Sequence, residues 1–354
     1  MRKALGIAER GRGRTSPNPM VGAVVVDGDG TIVGRGRHEF AGGPHAEVNA
    51  LADAGPKARG ATLYCTLEPC CHTGRTGPCA PLVADAGISR VVVAIEDPNP
   101  LVHGGGLRYL ESRGVRTTVG VLHAEAERQN EAFFTLMRRR RPLVILKAAV
   151  SADGAIAAAG GRAVKLTGAA ADRRIHRQRA EVDAIAVGSG TILADDPLLT
   201  PRGACRVRPL TRVIFDTRLR TPPSARVLST LDAGPVIIIS TAEAQAAALD
   251  AARALVQRGA RLELLDHRDL RHALTRLGAL GLTSIVIEGG AALHRAALDA
   301  GVVDVMEVYV TPRRLGADSV LWIGDRFAVE ELRDRRVTVL GEDVLVAGYV
   351  HRID

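Results

Sequence analysis

His45 and Glu47 stand two residues apart at the start of a helical pattern, and some two dozen residues later Glu68-Pro69-Cys70 opens a stretch that carries Cys70, Cys71 and Cys79. One imidazole and two thiolates suffice to hold a zinc ion while leaving a fourth position for water. Zinc lowers the pKa of such a water toward neutrality. A carboxylate at Glu47 is then placed to take the proton, deliver it to a substrate nitrogen and protonate a departing amine. His45, Cys70 and Cys79 are the expected metal ligands, and Glu47 the expected acid and base. Cys71 would close the coordination shell if it also bound, so it reads as a bystander, with tuning of the site or substitution for a lost Cys70 as the alternative. A structural zinc knuckle pairs its thiolates two residues apart, whereas eight residues separate Cys70 from Cys79 here, and such a knuckle has no use for Glu47. Hydrolytic zinc deaminases use one His, two Cys and a nearby Glu in these roles.

The totals bound what surrounds this constellation. At 354 residues and 46% hydrophobic composition, the chain has the length of two domains with substantial cores. The opening "MRKALGIAERGRG" turns polar too early for a secretory leader, and no apolar run reaches membrane-spanning length. A cytoplasmic location is expected, with no membrane partner. In that reducing compartment five cysteines, four of them between Cys65 and Cys79, point to metal or catalytic chemistry and away from disulfides. The net charge of +8 is dispersed apart from the run Arg138 to Arg141, and aromatics at 3% leave few platforms for stacking bases. Polymeric nucleic acid is therefore not expected as a partner, whereas small phosphorylated molecules suit a modest basic excess.

Strand and helix signals alternate along both halves. "VGAVVVDGDGTIVGRG" predicts two strands about an Asp-Gly turn, "HAEVNALADAG" a helix, "ATLYCTL" and "SRVVVAI" strands, "LRYLESRG" a helix and "VRTTVGV" a strand, followed by a helix over 124–138. The arginine run and Pro142 mark a seam, giving expected domains 1–141 and 142–354. Beyond it, "LVILKAAV", "DAIAVGSGT", "RVIFD", "PVIIIS", "SIVIEGG" and "DVMEVYV" are near-continuous apolar runs, as in a sheet covered on both faces. Two α/β domains follow. Zinc deamination of a base in RNA or DNA, and a zinc-stabilised scaffold without activity, are the competing readings. Scarce aromatics oppose the first and Glu47 opposes the second.

"TSPNPMVGAVVV", "GRGRHEFAGGPHAEVNAL", "TLYCTLEPCCHTGRTGPC" and "IEDPNP" resemble the deaminase half of the bifunctional riboflavin biosynthesis proteins. "KAAVSADGAIA", "DAIAVGSGTILADDPLLTPR", "IEGGAAL" and "VDVMEVYVTPRRLGA" resemble their reductase half, so the likeness spans nearly the whole chain. It implies an N-terminal cytidine-deaminase-like three-layer α/β domain and a C-terminal dihydrofolate-reductase-like α/β domain. It further implies zinc and NADPH as cofactors, a homo-oligomer (dimer or tetramer), and a phosphoribosylamino-bearing diaminopyrimidinone substrate. That substrate is deaminated first, and its ribosyl arm is then reduced to ribityl. By the same resemblance, Asn18, His38, His72 and Arg75 contact the substrate near the metal. Lys147, Thr167, Asp195, Arg202 and Glu288 contact substrate or cofactor in the second half, with Lys147 and Arg202 offering cations to a phosphate. The turns Gly188-Ser189-Gly190-Thr191 and Gly289-Gly290 follow strands, where backbone amides can approach dinucleotide phosphates. Two positions depart from the family pattern: Gly77 stands where a second proline is usual, and Lys165 where an aromatic residue is expected.

Overall fold

Glycines decide how closely the first helices approach their sheet. The computed structural model describes residues 1–72, 77–323 and 328–351, which cluster into two units, Met1–Arg140 and Arg141–Asp354. In chain order the first unit contains α1 (Arg2–Ala8), β1 (Gly22–Val26), β2 (Ile32–Arg37), α2 (Ala46–Ala54), β3 (Thr62–Cys65) and α3 (Cys79–Asp85). It continues with β4 (Arg90–Val93), α4 (Gly105–Ser112), β5 (Arg116–Val119), α5 (His123–Gln129) and α6 (Glu131–Arg139). The sheet runs β2-β1-β3-β4-β5, with β1 antiparallel to β2 and β3 and the remaining pairs parallel. A side-chain carbon on Gly36 would lie 2.1 Å from the Ala46 carbonyl oxygen, and one on Gly22 would lie 2.1 Å from that of Ala4. Gly36 pairs with Ala23, the neighbour of Gly22. Successive strand residues face opposite ways, so α1 and α2 lie on opposite faces and the unit has three layers. Ala50, Leu63, Val91, Leu110 and Phe134 are among its fully buried side chains.

The second unit begins with β6 (Leu143–Val150), β7 (Ala155–Ala157), α7 (Ala169–Glu181), β8 (Ala184–Gly188), α8 (Ser189–Asp195) and β9 (Thr211–Phe215). Then come β10 (Val236–Thr241), α9 (Ala242–Ala247), α10 (Leu249–Gln257), β11 (Ala260–Leu265), α11 (Leu270–Ala279), β12 (Ser284–Gly289) and α12 (Ala291–Asp299). It closes with β13 (Val305–Val310), β14 (Val320–Leu321), β15 (Arg333–Leu340) and β16 (Asp343–Tyr349). Nine strands form one sheet in the order β11-β10-β9-β8-β12-β6-β13-β16-β15, parallel as far as β13 and antiparallel in the last two. Its two faces feed separate cores. Ala184, Ala186 and Ile287 pack on one side, and Ile185, Val187 and Val286 on the other. The apolar runs read from the sequence are thus buried on both faces, as expected. The β15–β16 hairpin was not foreseen: β15 opens on the charged "RDRR", and almost every residue of it is exposed. No helix among the described residues is long and apolar enough to cross a membrane.

Candidate functional site

His45 caps α2 in an extended conformation, and the first turn of the helix turns Glu47 into the same cavity. Cys70 follows β3, and Cys79 opens α3. Their ligand atoms lie within 4.8 Å of one another, with His45 Nδ1 at 3.2 Å from Cys79 Sγ and 3.5 Å from Cys70 Sγ. The Cys79 backbone N–H donates to Cys70 Sγ at 3.3 Å. The two sulfurs lie close enough to contend for one proton. The hydrogen bond from Cys79 draws the Cys70 thiol down to about 4 against the opposing effect of burial, while the Cys79 thiol is pushed up by its contact with Cys70 and by burial. Two thiols and an imidazole converging in a buried corner form a donor set that suits zinc, which would ionise both sulfurs.

Glu47 is 3% exposed, and burial raises its carboxyl to about 7, which poises it to exchange protons near neutrality. His38 Nδ1 faces the Pro44 carbonyl oxygen at 3.1 Å and its Nε2 lies 3.1 Å from Asn18 Nδ2. Because a carbonyl only accepts, Nδ1 carries the proton and Nε2 accepts from Asn18. The ring is fixed as one neutral tautomer, consistent with burial lowering its pKa. A cavity of about 340 Å³, large enough for a small ligand, brings together Asn18, His38, His45, Glu47, Cys70 and His72. The buried Nδ1 of His72 has no hydrogen-bond partner among the described residues, as a group reserved for a ligand would. Arg75 lies outside the described residues. Cys71 is absent from the ligand cluster; its sulfur is 4.0 Å from the Val102 carbonyl oxygen. Asp97 and Asn99 also line the cavity, although the sequence reading gave them no role. The signal available was position, since they follow a parallel strand, β4.

In the second unit, Lys147 on β6 and Glu288 on β12 sit on paired strands, with Lys147 Nζ 4.0 Å from Glu288 Oε2. Glu288 accepts two hydrogen bonds from Arg179 on α7, at 2.8 Å from Nε and 2.6 Å from Nη2. Burial alone would raise the Glu288 carboxyl, but Arg179 and Lys147 outweigh it and hold the group below its ordinary value. Burial likewise lowers Lys147, against the pull of Glu288. The two glycine turns meet at the C-terminal ends of β8 and β12. A side-chain carbon on Gly289 would lie 2.9 Å from Thr191 Oγ1, and one on Gly290, at φ +91°, would lie 3.9 Å from the Gly188 nitrogen. Gly188, Ser189, Gly190 and Thr191 thus share one crevice mouth with Gly289 and Gly290, the usual place for a ligand in an open α/β sheet.

Thr167 and Arg202 bond to Asp172 and His176, two groups whose charges act on Lys147 and Glu288. Thr167 donates to Asp172 Oδ1 at 2.6 Å, Asp195 ends α8, and the Arg202 backbone N–H donates to His176 Nδ1 at 3.1 Å. In this unit it is Arg179 to which the sequence reading gave no role. Lys165 is exposed and pairs with Asp172 at 2.9 Å.

Residues 1–95 match the cytidine and deoxycytidylate deaminase zinc-binding region, and residues 142–346 match the RibD C-terminal domain. The riboflavin biosynthesis protein RibD of Aquifex aeolicus is 41% identical over 98% of this chain and 96% of its own length. That of Bacillus amyloliquefaciens is also 41% identical, over 97% and 94%. Among solved structures, RibD of Acinetobacter baumannii superposes with a TM-score of 0.88 at 35% identity, covering 99% of this chain and 98% of that one. The diaminohydroxyphosphoribosylaminopyrimidine deaminase/5-amino-6-(5-phosphoribosylamino)uracil reductase of Thermotoga maritima gives 0.85 at 33% identity, covering 98% and 96%.

Proposed function

Because the chain belongs to the family of bifunctional riboflavin biosynthesis proteins, deaminase and reductase in one polypeptide, we propose that residues 1–141 carry the zinc-dependent deaminase and residues 142–354 the NADPH-dependent reductase. The substrate of the first is 2,5-diamino-6-(5-phosphoribosylamino)pyrimidin-4-one. The product of the second is 5-amino-6-(5-phosphoribitylamino)uracil. The convergence of His45, Cys70 and Cys79 beside buried Glu47 carries this reading.

His45, Cys70 and Cys79 hold zinc, which supplies activated water near neutral pH. Glu47 accepts a proton from the attacking water and passes it to the ring nitrogen, then takes the second proton from the added hydroxyl as that oxygen becomes the carbonyl and delivers it to the amine, which leaves as ammonia. Asn18 and the neutral ring of His38 orient the pyrimidinone, and His72 Nδ1, without a partner among the described residues, offers it a further polar contact. Arg75 contributes a cation to the same substrate.

In the reductase unit NADPH supplies the hydride. Gly188 to Thr191 and Gly289-Gly290 let backbone amides approach its phosphates, and Lys147 and Arg202 take the substrate phosphate. Asp195 and Thr167 address hydroxyl groups. Glu288, held by Arg179, keeps Lys147 in place. The reading extends to a cytoplasmic homo-oligomer, dimer or tetramer, that acts on this small phosphorylated pyrimidine without nucleic acid or membrane partners. The test supplies purified chain with the diaminopyrimidinone. One ammonia per substrate, followed by loss of NADPH absorbance on adding the cofactor, supports the assignment. NADPH oxidation without ammonia release would overturn it.

A further inference from the structure

We propose that Glu68 is a positioning residue for deamination, fixing the cavity wall that carries Asp97 and Asn99 relative to the two thiolates. Glu68 is 3% exposed, and among the described residues no cation pairs with its carboxylate. Four backbone amides satisfy it instead. Oε2 accepts from Asp97 N at 3.2 Å and Gly104 N at 2.9 Å, and Oε1 from Gly106 N at 2.9 Å and Leu107 N at 3.3 Å. One buried carboxylate thereby anchors both ends of the segment from Asp97 to the start of α4.

Between the anchors the segment folds on itself. Asn99 N donates to Asp97 Oδ1 at 2.8 Å, and Leu101 N donates to Asn99 Oδ1 at 3.1 Å. Val102 then packs in one buried cluster with Cys70 and Cys79. The contact with the cysteine strand end is close enough to demand glycine: a side-chain carbon on Gly106 would lie 1.8 Å from the Pro69 carbonyl oxygen, and one on Gly105 would lie 2.6 Å from Cys71 Sγ. Glu68 lies two residues before Cys70, so the metal side and the substrate side of the cavity are referenced to one acid. Glu68 itself borders the cavity, but all four of its hydrogen bonds go to backbone of the wall, so it acts through the wall.

Glu68→Gln places an amide N–H against two backbone donors and removes the full charge from all four bonds. The expected result is a rise in KM for the diaminopyrimidinone of about tenfold or more, with kcat within about threefold and one zinc per chain retained. A merely structural role would reduce zinc content and kcat together and leave KM unchanged, which would overturn the inference. So would both constants staying within twofold of the parent. NADPH oxidation on pre-deaminated substrate should be unaffected. If the Gln variant does not fold, Glu68→Asp keeps the charge but shortens the arm by one methylene, and the same KM-against-kcat split is expected of it. The inference rests on the deaminase reading of the first unit. Absence of ammonia release by the parent chain defeats that reading, whereas the split in the variant addresses only Glu68.

Discussion

The two units build their sites from different materials. In the first, chemistry resides in side chains from three short motifs, aimed into one cavity by α2, α3 and the loop after β4. In the second, the crevice is made largely of backbone at two glycine turns, and its charged centre is a contact between strands far apart in sequence. A site of clustered reactive side chains is announced by residue type and spacing. A site of backbone and strand order becomes visible only once the sheet is assembled. The mutations that break each site differ accordingly.

The largest effect is expected at the side-chain site. Glu47→Gln removes the proton carrier and should lower deamination by roughly 10²- to 10⁴-fold, with zinc still bound and NADPH oxidation on pre-deaminated substrate intact. Loss of both activities would contradict the functional separation of the units. Arg179→Ala tests the other centre. It leaves Glu288 buried with Lys147 alone, and truncation of one partner of a buried pair typically costs about 3–5 kcal/mol. Reductase kcat/KM should fall about 100-fold or more, while ammonia release persists.

The same pair sets a pH dependence. The carboxyl of Glu288 is held below its unfolded value, so its contribution to stability is full above about 4.5 and fades as the pH falls through the folded value. A thermal melt of the parent should lose stability across that acid range, and Arg179→Ala should flatten the loss. Gly36→Ala probes packing in place of chemistry. Its new carbon meets the Ala46 carbonyl oxygen, so a cost of about 1–3 kcal/mol is expected, with deaminase activity falling before reductase activity on heating. Smallest of all, Cys71→Ser should leave zinc content and ammonia release within about twofold of the parent.

Much of the first site was legible because His45, Glu47, Cys70 and Cys79 are rare residue types with one shared use. The cavity wall was not. Asp97 and Asn99 are common loop residues, and only the folded segment turns them toward the metal corner. Arg179 stands among several cations in "RRIHRQR", and nothing local distinguishes the one that reaches Glu288. Glu288 and Lys147 meet because β12 lies beside β6, a neighbour relation that chain order does not reveal. The glycine turns were placed after their strands correctly, but their convergence depends on β8 flanking β12. The β15–β16 hairpin escaped notice although "VTVL" and "VLVAGY" carry a strand pattern; the charged "RDRR" that opens the exposed edge strand masked it.

X-ray absorption at the zinc edge of the purified chain tests the central claim most directly. One nitrogen and two sulfur ligands, with an oxygen scatterer in the fourth position, is the expected shell, and Cys79→Ala should remove one sulfur from it. Three or four sulfurs, or four protein ligands and no oxygen, would show a closed structural site and contradict the account.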